Sequence, residues 1–288
     1  SGKPVITYLV AYSSHYEGRL RLPWPCATCL QSRRFHAVFS RDQCTADDLS
    51  AQLSREVRFL GNPFMDPVLA DAGRLPAAQR RLGLLPGSRR PELEQNLSLL
   101  LQMIEHLPSD LFRQGVLEVD LALVSSLSDP SLRALVQPWG WTLAAEPDGS
   151  GLQLQRGPRR IHVRRGAFAA VLHSSNLLVC MAGTAAEQAV GLARPVLQLA
   201  GRGPQFTAGF AEAQRRLLGP TVFCAQGEPG ETATLVASAR LAVELLERSR
   251  SDSDLQRQCQ QQALQRLGPA GGGARMAQAI SDLVQQPS

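Results

Sequence analysis

Residues 82–96 read LGLLPGSRRPELEQN, and this stretch constrains the fold more than any other. A short apolar run stops at a Pro-Gly-Ser turn, and a helical period of leucines follows at once. A buried strand that feeds directly into a helix is half of a βα unit. The alternation recurs: strand patterns at 5–13, 36–40, 57–60, 82–85, 117–124, 141–144, 161–163, 177–180, 195–199 and 222–224 are separated by helical or loop segments. Alternating units of this kind predict an α/β fold with a parallel, doubly wound sheet.

Residues 61–79, rich in Pro, Gly and Asp, have linker composition. They divide the chain into a first unit, 1–62, and a second, 63–288. A Rossmann-like domain usually needs more than about 100 residues. The first unit therefore reads as the closing part of a domain, entered mid-way. The second reads as a complete Rossmann-like domain followed by helices. Residues 17–34 read as a loop, 146–160 as a hairpin or loop insertion, and Thr45 as the N-cap of a helix over 45–54.

The turn PGSRRPE, 86–92, is the first candidate site. In a doubly wound sheet, ligands sit beyond the carboxyl ends of the strands. A turn there aims free N–H groups and the positive helix end at one point, which suits an anion. Gly87 permits close approach, Ser88 can cap, and Arg89 can fork onto phosphate oxygens. A Ser-capped helix with two solvated arginines is the plain alternative. The second candidate is MAGTAAEQ, 181–188, another strand-to-helix turn. Thr184 and Glu187 have capping-box spacing. If the sheet brings Gly183 and Thr184 beside Arg89, a diphosphate fits between the two helix starts, with Glu187 accepting from a ribose. A third loop, GRGPQFT, 201–207, ends on the polar residues Gln205 and Thr207.

Taken in order, LLPGSRRPE, AGTAAEQ and GRGPQFTAGFAEAQRRLLG resemble lipid A disaccharide synthase, and GNPFMD at 61–66 is similar to that family's segment at the domain boundary. The last of the three is closest in character to the cyanobacterial proteins related to that synthase. The resemblance runs from about residue 4 to 280. It implies a GT-B glycosyltransferase: two Rossmann-like domains with a cleft between them, a UDP-sugar as substrate, inversion, and no cofactor or metal. It implies an acylated amino sugar as donor and a glycolipid acceptor. By motif position, Gly87, Ser88 and Arg89 would hold the diphosphate, Glu92 would brace their turn, Gly183 and Thr184 would approach the phosphates, Glu187 would bind ribose, and Gln205 would contact the donor sugar. Ala182 stands where the family has Ser. The family's proposed catalytic carboxylate lies in a region nothing here matches, so this chain alone is expected to lack the main general base. His15, after the first strand, is a weaker acid–base candidate, whereas His173 reads as structural.

Composition narrows the partners. The formal charge is +5, and Lys3 is the only lysine among 30 basic residues. Arginine-borne charge suits phosphate and carboxylate partners. Five arginines fall within RGPRRIHVRR, 156–165: Arg156, Arg159, Arg160, Arg164 and Arg165. They read as a solvated hairpin or as a contact for anionic lipid headgroups. With three Tyr and three Trp for stacking, nucleic acid is not expected as a partner. No stretch approaches the roughly 20 apolar residues of a membrane span, and a cytoplasmic protein, peripheral on the inner membrane face, is the expectation. Six dispersed cysteines read as reduced thiols; the pair Cys26 and Cys29 has no assigned role. Two rivals remain: a non-catalytic nucleotide-sugar or lipid-binding protein, and a UDP-sugar epimerase, which shares the fold but needs more acid–base carboxylates in the cleft.

Overall fold

The structure, a computed structural model, describes residues 5–18, 21–69, 73–202 and 207–285. Ten strands form two sheets. β1 (Val5–Leu9) and β2 (Phe35–Ser40) pair in parallel, and a bridge from Phe39 to Arg58 extends them. The larger sheet contains β3 (Arg80–Leu85), β4 (Leu117–Leu123), β5 (Thr142–Ala145), β6 (Leu152–Arg156), β7 (Arg159–Arg165), β8 (Leu177–Cys180), β9 (Val196–Gln198) and β10 (Val222–Cys224). Its order is β10-β9-β8-β3-β4-β7-β6-β5. The run from β10 to β7 is parallel; β6 and β5 add an antiparallel edge. The chain thus has the α/β, GT-B-like architecture with a mixed sheet.

The sheet is apolar on both faces, as βα crossovers require. Leu82, Leu84, Val119 and Leu121 face one helical layer; Leu85, Leu178 and Cys180 face the other. The helix Glu92–Glu105 illustrates why. Leu93, Leu97, Leu100, Leu101 and Ile104 repeat at helical spacing and are all buried. Each such side chain contributes roughly 1.5–3 kcal/mol of burial. The helices Asp129–Val136 and Thr232–Ser251 share that layer, while Phe168–Ser174 and Gly183–Gly191 cover the opposite face.

The small sheet does not stand by itself. Two strands are marginal in water, and here the helix Gly272–Gln285 returns to cover them, packing Ala279, Met276 and Leu283 against Ile6, Tyr8, Ala37 and Phe39. The return depends on close backbone contact. A Cβ on Gly272 would overlap the Gly61 carbonyl. Asp66 Oδ2 accepts from the Gly273 N–H at 2.7 Å. The stretch 61–66, read as linker, is therefore an ordered crossing point carrying a short 3-10 turn, Pro63–Met65, and the helical turn Asp66–Leu69.

Several local expectations are corrected. Residues 17–34 contain a helix, Trp24–Gln31. The helix Gln43–Leu53 is capped by Asp42, which accepts from the Thr45 N–H at 2.7 Å; Thr45 lies inside it. The 146–160 segment, by contrast, is a hairpin as expected: its strand β6 pairs antiparallel with both β5 and β7. The arginine strip is not a solvent-facing patch. Arg156 pairs with Glu105 and donates to the Trp139 carbonyl. Arg159 donates to the carbonyls of Ile104, Glu105 and Leu107, at and just past the end of the helix Glu92–Glu105. Arg164 holds Asp120 and Glu146, and Arg165 holds Asp129 and the Leu127 carbonyl. Arg160 alone of the five is exposed. No helix among the described residues is long and apolar enough to cross a membrane.

Candidate functional site

β3 and β8 are parallel neighbours, with Leu85 opposite Cys180. The turns that leave them, 86–91 and 181–182, therefore lie side by side at the carboxyl edge of the sheet. Three contacts fix them there. The Met181 N–H donates to the Leu85 carbonyl at 2.8 Å. Asn96, from the helix Glu92–Glu105, donates through Nδ2 to both the Pro86 carbonyl (2.9 Å) and the Met181 carbonyl (3.1 Å), and it is buried. A Cβ built on Gly87 would lie 3.5 Å from both the Ala182 Cβ and the Met181 carbonyl oxygen. Gly87 has φ +100°, a conformation that favours glycine.

Both helices that leave these turns begin without a side-chain cap. The N-cap residues are Pro91 and Ala182. Thr184, expected to cap, sits within the first turn and is exposed, because the helix starts two residues earlier than that cap requires, at Gly183 with Ala182 as N-cap. At the first of these helices the Leu93 and Glu94 N–H groups donate to the Arg89 and Pro91 carbonyls; the positive ends of the two helices lie side by side at this edge, a placement that suits an anion. Ser88 and Arg89 are exposed on the first turn; the Arg89 carbonyl accepts from the Leu93 N–H at 2.8 Å, and its guanidinium pairs with no side chain among the described residues. Arg90 pairs with Glu94 at 3.2 Å instead. Glu92 is partly exposed at the helix start. Gly183 admits the neighbouring helix Ala208–Leu218: a Cβ there would lie 2.9 Å from Gln214 Nε2. Thr207 caps that helix by accepting from the Phe210 N–H. Gln205 lies outside the described residues.

Glu187 faces the small sheet. Its Oε1 is 3.2 Å from a guanidinium nitrogen of Arg41, which follows β2, and both side chains are largely buried. Arg41 also donates to the Val10 carbonyl. The Tyr8 phenol lies in the same pocket of charge, and burial pushes its pKa up to about 12. Arg41 was not singled out in the sequence; the signal was its position one residue past a strand end.

His15 is 3.8 Å from Asp42 and lies within the field of Arg266. Burial, reinforced by Arg266, lowers its pKa, so the ring is neutral at pH 7. It packs among Asp42, Cys44 and the π-helical segment Ala263–Leu267. His173 donates through Nε2 to the Val68 carbonyl at 2.7 Å, tying 66–69 to the main body. Open clefts of about 370 and 500 Å³ lie elsewhere, beside His36 and Arg58 and beside Trp139 and Arg156.

No protein-family model matches the chain, and no curated protein matches it. Solved structures do. A putative UDP-N-acetylglucosamine 2-epimerase from Listeria monocytogenes aligns over 88% of this chain and 61% of its own, at 18% identity and a TM-score of 0.51. An S. aureus MnaA-UDP co-structure aligns over 88% and 63%, at 15% identity and a TM-score of 0.51. UDP-GlcNAc 2-epimerase from Neisseria meningitidis bound to UDP-GlcNAc aligns over 96% and 76%, at 12% identity and a TM-score of 0.51. The chain spans less than two thirds of the first two structures. These likenesses define the class by fold: Rossmann-like α/β of the GT-B type.

Proposed function

We propose that this chain carries the nucleotide-sugar seat of a GT-B glycosyltransferase, taking a UDP-sugar and resembling lipid A disaccharide synthase in its motifs. In this reading the diphosphate lies across the turns at 86–91 and 181–184. Arg89 and the N–H groups of the two helix starts hold it, and Glu92 braces the first turn. Stabilisation of the departing diphosphate by these preorganised donors is then the main catalytic contribution. An amino sugar is the expected donor, Gln205 its contact, and a glycolipid the expected acceptor. Glu187 reaches a ribose hydroxyl only if it shares its carboxylate with Arg41. The observation that carries the reading is the adjacency of two uncapped helix starts, joined by Asn96 and lined by Gly87.

Titration calorimetry with UDP tests it. The wild-type chain is expected to bind UDP, and Arg89→Ala to lose about 1.5–3 kcal/mol, the worth of a charged phosphate contact. Absence of UDP binding by the wild type would refute the proposal. An epimerase reading has its own support, since the three structures above are epimerases or a UDP complex of the same fold. Release of a 2-epimer from UDP-GlcNAc, without an added acceptor, would favour it over transfer.

A further inference from the structure

His15, Asp42 and Cys44 come from two segments, yet one ligating atom of each lies within 4.8 Å of the other two. We propose that they form a binding site for a borderline-soft divalent cation, of which zinc is the natural occupant. The site goes beyond the UDP-sugar reading and does not depend on it.

The donor set is one imidazole, one carboxylate and one thiol, each a zinc ligand in its own right. Three protein ligands leave a fourth position for water, the arrangement of an open site. The ring nitrogen of His15 that faces Asp42, Nε2, is buried and has no hydrogen-bond partner. A lone pair left without a donor in a buried position is costly unless something occupies it. The Gln265 backbone lies against the imidazole, where outer support of the kind metal-bound histidines use would come from. Asp42 is fixed from behind. Thr45 N–H reaches Oδ1 at 2.7 Å and Ser13 Oγ reaches Oδ2 at 3.0 Å, so its carboxylate cannot swing away. Asp42 is buried, whereas Cys44 is exposed and gives the ion a way in.

Charge also balances. The carboxylate and the thiolate neutralise a dication, and the imidazole adds none. Binding replaces the Cys44 S–H proton with the metal, and that proton goes to buffer. Arg266 and Arg41 lie within the field of the site and oppose the cation, while Arg266 favours the thiolate. The two carbonyls of Arg216 and Leu217 that accept from Arg266 hold that guanidinium aside.

The test uses the whole chain, freed of metal, titrated with Zn²⁺ against a chromophoric chelator and separately with Co²⁺. One equivalent of zinc is expected, and cobalt should give a thiolate-to-metal charge-transfer band. Cys44→Ser should abolish the band and weaken zinc at least tenfold; His15→Ala should weaken zinc similarly. The Cys26→Ser/Cys29→Ser double variant should behave as wild type. The proposal is overturned if the wild type binds no stoichiometric zinc, if the band survives in Cys44→Ser, or if it disappears with Cys26 and Cys29. Melting curves of the metal-free variants check that each remains folded, so a lost band reports a lost ligand.

Discussion

Asn96→Leu is the sharpest probe of the site. The side chain is buried and of similar size to leucine, so the substitution removes two donors with little change in packing. It leaves the carbonyls of Pro86 and Met181 without their partner. A buried acceptor left unsatisfied costs about 1–3 kcal/mol. Two at the low end of that range, partly relieved by water at the sheet edge, give roughly 2–3 kcal/mol. For a chain of this size each kilocalorie lowers the melting temperature by about 2–4 °C, so a fall of about 4–12 °C is expected by differential scanning fluorimetry. The turns would also separate, and UDP affinity measured by calorimetry should weaken at least about tenfold, equivalent to 1.4 kcal/mol. A melting temperature within about 1 °C of wild type would refute the clamp. A destabilised variant with unchanged UDP affinity would instead show that the clamp has no part in ligand binding.

Further expectations concern the frame around the site. Gly272→Ala drives a methyl group into the Gly61 carbonyl, and overpacking of this kind costs about 1–3 kcal/mol; limited proteolysis should release 272–285 faster than from wild type. His162 donates through Nε2 to Glu118 (2.7 Å) and its Nδ1 lies 3.1 Å from Glu146, carboxylates that raise its pKa, while the hydrogen bond lowers that of Glu118. The histidine contribution is complete below about pH 6.5 and is lost as pH rises through the raised value; the Glu118 contribution is lost as pH falls below about 4.5. Melting temperature should therefore drop between pH 6 and 9 in wild type, and His162→Gln should remove that slope; an equal slope in both would refute the assignment. Cys26, Cys29 and Cys44 should react with a thiol reagent in the native, metal-free chain, while Cys180 and Cys259 react only after unfolding.

Much of the large sheet is legible in the residues because apolar runs, turn glycines and helical leucine spacing each mark a βα step. The turn at 86–91 and the one at 181–184 are both recognisable in this way. Their adjacency is not, because β8 lies next to β3 only through the pairing of strands about 95 residues apart. The cap position at Ala182 is not legible, because Thr and Glu at capping-box spacing look the same whether or not the helix begins two residues sooner. The arginines at 156–165 show the limit of charge pattern. A solvated strand and a clamp on helix-end carbonyls have the same composition, and the acceptors at 104, 105 and 107 are invisible in a list of side chains. Asp42 and Cys44 are neighbours in sequence, but His15 joins them only because the turn after β1 folds against the segment 263–267.

The returning helix has a consequence for biosynthesis. The two-stranded layer, which ends at Ser40, and the helix that shields it, which begins at Gly272, are separated by about 230 residues of intervening chain. At translation rates of roughly 5–20 residues per second, that shield arrives about 12–46 s after the strands have left the ribosome. During this interval Ile6, Tyr8 and Phe39 have no cover from the helix, and a holdase that recognises short apolar strands would have its opportunity there.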